Sequence, residues 1–411
     1  MALGDASINA VQAKDLPLGG VRVLELGHYV AAPFATRVLA DLGAEVIKIE
    51  PPRIGDPVRQ WGEQQNGRSV WWSVHGRNKK CVTLNIKHPE ARPIIEGLIR
   101  ACDVVIENFR AGHLDRMGYG DDYFRAIKPE IVICHVSGYG QDGPHRNRSS
   151  FGVIGEAIGG LRYLTNNPEG TNDLPPVRVG VSIGDSISGL YAAIGILAAL
   201  LERRPCGRSI DVALTESVLS LLEGALPEYG MFGNIRKPMG GRIPTASPSN
   251  AFRTADGGWF IIAANSDQLF ERLCGLMGRP ELSGDLRFAT NQSRCSNSAA
   301  LEEIITNWSS SLSLTALEQL LLEKDIPGCR VFNVADIAAD SQYLFRRMVQ
   351  EVDDPLLGPV LHPGSVPHFV GSDRRVRWTG PEVGAHNSEI YGQMLGIEET
   401  ALEGLIDEGV I

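Results

Sequence analysis

Five short apolar runs, at residues 21–26, 45–49, 81–86, 104–107 and 131–136, recur along the first third of the chain. Runs of this length that end on glycine or polar residues read as buried strands. Helical spacing fills 32–42, stopped by Gly43, and returns over 89–101 and 121–127, with Pro89 suited to a first helical position. Strand, helix and strand in that order form a right-handed crossover with parallel strands. The expected fold class is therefore α/β: a large domain with a doubly wound parallel sheet, whose ligands sit beyond the carboxyl ends of the strands. A sixth strand is expected at 210–214 and an amphipathic helix over 216–232.

Composition shifts at 236–249, rich in Gly, Pro and Ser, which reads as a mobile loop and a domain boundary. Beyond it, a hairpin over 251–264 turns at Asp256-Gly257-Gly258, and helices are expected at 267–277, 301–310 and 316–324. The expected division is an N-terminal arm at 1–17, the large domain at 18–235, a linker and small α+β domain at 236–342, and a segment at 343–411, helical at 389–395, returning to the large domain.

The net charge of −10 gives no long-range attraction for nucleic acid or an anionic membrane, while leaving room for a local basic pocket for a phosphorylated small molecule. The seven cysteines are odd in number and widely spaced, which disfavours structural zinc and a disulfide framework and implies a reducing cytoplasm. The first ten residues lack a signal-peptide pattern, and the apolar run 186–201 reads as too short to span a bilayer. The turn after the first strand is not G-x-G-x-x-G, so a nicotinamide dinucleotide is not indicated. Gly184-Asp185-Ser186-Ile187-Ser188 is no G-x-S-x-G elbow, a Walker loop is missing, and no H-x-x-x-H pair supports a metal site.

The stretch 177–204 is the most distinctive. Val177, Val179, Val181 and Ile183 alternate with Arg178, Gly180, Ser182 and Gly184, as a strand or extended arm would. An almost wholly apolar helix then begins, with Asp185 at or next to its start. Backbone N–H groups and the helix dipole favour an ionised carboxylate there. Beside Gly184 and Gly189, expected to leave open space, Asp185 is suited to attack an activated acyl group, although taken alone an ordinary N-cap is the commoner reading of such a residue.

The loops after the fourth and fifth strands, 108–116 and 137–144, are expected on one rim, where Asn108, Arg116 and backbone amides can receive a nucleotide or pantetheine, or simply make turns. Trp71, Trp72, Arg77, Lys79 and Lys80 cluster near that rim and read either as an adenine and phosphate site or as a solvated edge or subunit contact.

Several segments coincide, in order, with one family. L-G-G-V-R-V-L-E-L, G-D-P-V-R, N-K-K-C-V-T-L-N-I-K, E-N-F-R-A-G-H-L-D-R-M-G, S-G-Y-G-Q-D-G-P and V-S-I-G-D-S-I-S-G resemble the class III CoA-transferases, the formyl-CoA and carnitine CoA-transferase group, nearest to its succinyl-CoA-dependent dicarboxylate branch. The resemblance implies a large domain and a smaller one in an interlocked-ring homodimer. It also implies CoA thioesters as substrates, with no permanently bound cofactor and no metal. Asp185 matches the family's nucleophile, which forms an acyl anhydride and then an aspartyl-CoA thioester. Val30, Ala31, Leu84, Asn85, Ile86, Lys87, Asn108, Phe109, Arg110, Arg116, Ser137, Gly138 and Tyr139 match CoA-contacting positions. Gly240, Gly241 and Arg242 match a mobile substrate loop, where Arg242 would either grip a second carboxylate or stand as a plain surface cation.

Two departures accompany the likeness. Val30 stands where formyl-CoA transferases have glutamine, and Pro51 follows Glu50 where an arginine is common, so adenine contacts are expected from Arg53 or Arg77 instead. A 2-methylacyl-CoA racemase resembles the same fold but pairs its aspartate with a histidine, and Phe151 occupies that place. A non-catalytic CoA-binding subunit is the third reading.

Overall fold

The computed structural model describes residues 16–202, 207–372 and 375–411; most of the expected N-terminal arm, and Cys206, lie outside them. The chain divides into two compact units. The larger is built from residues up to Leu161, Val179–Gly224 and Asp340–Ile411, and the smaller from Arg162–Arg178 and Ala225–Ala339.

Six parallel strands form the sheet of the larger unit: β1 (Arg22–Glu25), β2 (Glu45–Glu50), β3 (Lys79–Thr83), β4 (Val104–Glu107), β5 (Val132–Ser137) and β6 (Ser209–Ala213). Their order across the sheet is β3-β2-β1-β4-β5-β6, every neighbouring pair parallel. Successive residues point to opposite faces, so each strand feeds two cores. Leu24, Ile47, Val105 and Ile133 pack with α2 (Ala91–Ala101), α3 (Asp121–Ile127), Tyr391 and Val410 on one face. Val23, Val46, Val104 and Cys134 pack with α1 (Ala31–Asp41) and a long helix introduced below on the other. Helices on both faces and the reversal of strand order between β1 and β4 open a crevice at the carboxyl ends of those two strands.

Several expectations need correction. The alternation at 177–183 makes no strand, because no neighbouring strand pairs with it and the helix begins at Ile183. Pro89 lies in a turn ahead of α2, which starts at Ala91 with Glu90 as its cap. The helix expected over 216–232 is two, Leu214–Leu219 and Ala225–Phe232, separated by Glu223 in the left-handed region (φ 50°). Near the C-terminus, Ser388–Met394 winds as a π-helix, and a helix at Glu399–Asp407 follows that the sequence pattern had not marked.

The smaller unit holds an antiparallel sheet whose hairpin strands are Ser249–Arg253 and Trp259–Ala263, closed over Phe252, Phe260, Phe270 and Leu301. Its 236–249 segment is tied down: Gly240 N–H bonds Asn166 O, and Lys237 pairs with Glu169.

Candidate active site

The long helix is α5 (Ile183–Leu200); Ser182 precedes it without a side-chain capping bond, and Asp185 is its third residue. The first turn of a helix presents unsatisfied N–H groups and the positive end of the dipole, a setting that favours a carboxylate. Two neighbours fix its surroundings. α4 (Gly152–Ile158) starts against it: a Cβ at Gly152 would lie 2.0 Å from Asp185 Oδ2, so only glycine leaves room for the carboxylate. The glycines of α5 act differently from expectation. A Cβ at Gly184 would strike Gly152 O at 2.7 Å and one at Gly189 would strike Ala31 O at 2.7 Å, so they bring backbones together rather than leaving open space.

Asp185 lines a cavity of about 360 Å³ with Ala31, Asn108, Phe109, Arg110, Ser137, Gly138, Arg146, Arg148 and Phe151. A second cavity of about 640 Å³ opens over the carboxyl ends of β1 to β4, lined by Glu50, Pro51, Arg53, Leu84, Asn85, Ile86 and Lys87 and, from the far end of the chain, by Asp407 to Gly409. His28 and Phe109 line both cavities, so the two meet at these side chains. Their rings sit edge to face, 5.6 Å between centroids.

Of the positions matched to CoA contacts, ten therefore lie on one cavity wall or the other. Val30 is buried at the head of α1, Arg116 is exposed on the short helix His113–Arg116, and Tyr139 packs on His145; none of the three lines either cavity. Gly240, Gly241 and Arg242 belong to the smaller unit, where Arg242 donates to Ser298 Oγ at 3.0 Å and lies 3.8 Å from Glu302.

The cations separate into two groups. Lys79 and Lys48 are buried and share Glu25, Lys80 bridges Glu45 and Glu389, and Arg77 is buried on Asp41. Trp72 is buried too, its ring stacked under Arg59. The basic and aromatic cluster at 71–80 is thus mostly framework, and Arg77 is committed to Asp41 and the Pro363 carbonyl rather than to either cavity. By contrast Arg53, Lys87, Arg110, Arg146 and Arg148 stand exposed on the two cavity walls, and none has a carboxylate partner among the described residues. In a chain of net charge −10, Arg110, Arg146 and Arg148 make the smaller cavity attractive to anions, whereas in the larger one Arg53 and Lys87 share the wall with Asp407 and Glu408.

The wall between the cavities is cross-linked by hydrogen bonds. Asn108 accepts from His28 N–H at 2.8 Å and donates back to His28 O at 2.8 Å, while Lys48 donates to Gly27 O at 2.7 Å. Asp56 accepts from Tyr29 N–H and Val58 N–H and ion-pairs with Lys48 at 2.7 Å. Burial opposes the charge on Asp56, yet Lys48 and the hydrogen bonds overcome it and hold the carboxyl well below the usual range. Tyr29 takes a positive φ of 64° in this loop. On β5 itself, His135 bonds Glu107 at 2.6 Å and Asp121 at 2.9 Å; burial opposes its charge, but the two carboxylates raise its pKa to about 10.

Sequence reasoning missed His28, Tyr29, Arg146 and Arg148. Their signal was positional: His28 and Tyr29 follow β1 and face the strand-order reversal, a fact available only once β4 is known to be its neighbour.

The sequence pattern of the family described as CoA-transferase family III matches residues 18–387. The chain is 42% identical to the succinyl-CoA–D-citramalate CoA-transferase of Chloroflexus aurantiacus, over 96% of this chain and 98% of that one. It is 36% identical to the β subunit of succinyl-CoA–L-malate CoA-transferase from the same organism, again covering 96% and 98%. Among solved structures, a CaiB/BaiF family protein from Brucella suis superposes with a TM-score of 0.80 at 32% identity, covering 92% of this chain and 99% of that one.

Proposed function

Since the chain belongs to the class III CoA-transferases, we propose that it moves CoA from succinyl-CoA to a four- or five-carbon dicarboxylic acid bearing a 2-hydroxyl group, through acyl groups carried on Asp185. The observation that carries this reading is the position of Asp185 on the inner wall of one cavity, continuous through His28 and Phe109 with a larger one that bears Arg53 and Lys87. A nucleotide fits the larger cavity, with Arg53 and Lys87 placed to meet its phosphates and Asp407 and Glu408 on the wall from the far end of the chain, and an extended arm passing His28 brings a thioester to Asp185.

The cycle balances with carboxylates and thiolates alone. An Asp185 oxygen attacks the succinyl carbonyl and CoA thiolate leaves, giving a mixed anhydride. The thiolate returns to the aspartyl carbonyl, releasing succinate and leaving an aspartyl-CoA thioester. The acceptor carboxylate attacks that thioester, again expelling thiolate, and the thiolate then takes the acceptor's acyl carbon and frees Asp185. No metal or resident cofactor enters any step. Holding thiolate and anhydride together in one cavity replaces bimolecular encounters with local ones.

The acceptor class rests on the relatives, whose names specify D-citramalate and L-malate, both hydroxy diacids, and on Arg146 and Arg148, unpaired cations beside Asp185 suited to a second carboxylate. Phe151 favours transfer over proton exchange at carbon: it is exposed beside the same cavity, and a phenyl ring accepts no proton. The interlocked homodimer belongs to this reading as well. α5 is long and apolar enough by length and composition to cross a membrane, which corrects the expectation from residues 186–201. One of its faces, however, is buried on α1 and the sheet, and Leu190, Tyr191 and Ile194 on the rest suit a second copy in the cytoplasm.

The test is peptide mass spectrometry after mixing the protein with succinyl-CoA and hydroxylamine. A hydroxamate confined to the peptide holding Asp185, and lost in Asp185→Ala, is the expected result. CoA binding without any adduct from succinyl-, acetyl- or formyl-CoA would overturn the reading.

A further inference from the structure

His28 lies where the two cavities meet, and every contact it makes restricts it. Its backbone N–H and C=O are both held by the Asn108 amide at 2.8 Å. Its ring is braced edge to face on Phe109. Nδ1 is sealed from solvent and faces the Asp56 carboxylate, 3.8 Å from Oδ2. Asp56 is itself fixed by Lys48, Tyr29 N–H and Val58 N–H, so the anion facing the ring stays in place. The side chain is nevertheless 24% exposed. With Nδ1 covered, the accessible nitrogen is Nε2 on the opposite edge, and the residue lines both cavities.

A fixed anion beside Nδ1 keeps the proton of a neutral imidazole on that nitrogen, which leaves Nε2 as a hydrogen-bond acceptor. If CoA occupies the site as read above, the part that crosses from the larger cavity to Asp185 is neither the nucleotide nor the thiol. It is the pantetheine arm, which offers two amide N–H groups and one hydroxyl and carries no charge for the surrounding arginines to grip. We propose that His28, oriented by Asp56, accepts a hydrogen bond from the pantetheine arm and sets the path by which the thioester reaches Asp185. His28 is a ligand-contact residue in this role and takes no part in bond making.

Calorimetry on the whole protein tests this with two probes, CoA and adenosine 3′,5′-bisphosphate, the second lacking the pantetheine arm. His28→Ala weakens CoA binding about tenfold, the loss of one well-made hydrogen bond, and leaves the bisphosphate affinity unchanged, which also shows that the fold is intact. His28→Gln, whose amide oxygen reaches the place of Nε2, recovers most of the loss. Arg53→Ala weakens both probes. Unchanged CoA affinity in His28→Ala, or an equal loss for both probes, overturns the assignment. Wild-type protein that binds neither probe overturns the CoA reading and the assignment with it, whereas normal CoA binding with no transfer defeats only the proposed reaction.

Discussion

Replacing Gly152 by alanine tests whether the carboxylate of Asp185 must stand where it does. The backbone at Gly152 is not in the left-handed region, so alanine costs no strain there, and alanine is the better helix former by about 1 kcal/mol. The difficulty is local: the new methyl would lie 2.0 Å from Asp185 Oδ2 and 2.6 Å from its Cγ. Ordinary contact begins at about 3.4 Å, so the carboxylate has to retreat by about 1.4 Å. Asp185 has a short, rotatable side chain and can do this without displacing a helix, so little stability is lost. Its reaction geometry does suffer. Attack on a thioester carbonyl needs the reacting atoms about 3–3.5 Å apart, and a displacement near 1 Å costs on the order of a hundredfold. Gly152→Ala should therefore lower kcat about a hundredfold and cut the hydroxamate trapped at Asp185, with the Tm unchanged and the CoA dissociation constant within about threefold. Steady-state acyl-CoA formation, followed chromatographically beside a thermal melt, reads both. A variant with wild-type kcat and full trapping would show that the position of the carboxylate does not limit the reaction.

Removing the cation from the buried cluster in Lys48→Met leaves Glu25 and Asp56 short of a counter-charge and should cost about 3–5 kcal/mol, measured by urea unfolding; a loss under 1 kcal/mol would mean that the cluster relaxes or hydrates. His135 contributes stability with a definite sign. Its folded value of about 10 lies above the ordinary one, so the contribution is complete below about pH 6.5 and fades as pH rises through 10. The stability gap between wild type and His135→Asn should accordingly shrink from pH 6.5 to 10, and a gap independent of pH would contradict the imidazolium assignment. Arg148→Ala should lower kcat/KM about tenfold for a diacid acceptor and leave a monoacid acceptor unaffected; equal losses for both would remove Arg148 from carboxylate recognition.

What was legible in the sequence follows from which interactions are local. The strands at 104–107 and the helix at 121–127 were marked to the residue, because apolar period and flanking turn residues act within a few positions. Asp185 stood out for the same reason: a single carboxylate at the change from small residues to an apolar helix is a local pattern. Local pattern also misled. The alternation at 177–183 has the strand period but no partner edge, and a strand exists only where another chain segment pairs with it. The cluster at 71–80 has the composition of an anion site, yet Glu25, Asp41 and Glu45, distant in sequence, claim its cations.

By itself, then, the sequence determined the alternating elements, the parallel sheet they imply, and the carboxylate at the head of α5, all through hydrophobic period, turn chemistry and helix-end electrostatics. The tertiary structure decided which cations remain unpaired and that Gly152 rather than Gly184 makes room for the nucleophile. It also decided that His28, from the first strand's turn, meets Phe109, from the fourth. The reason is physical: pairing, close approach and cavity shape depend on which segments become neighbours, and here the strand order β3-β2-β1-β4-β5-β6 sets β1 beside β4, about eighty residues apart in the chain.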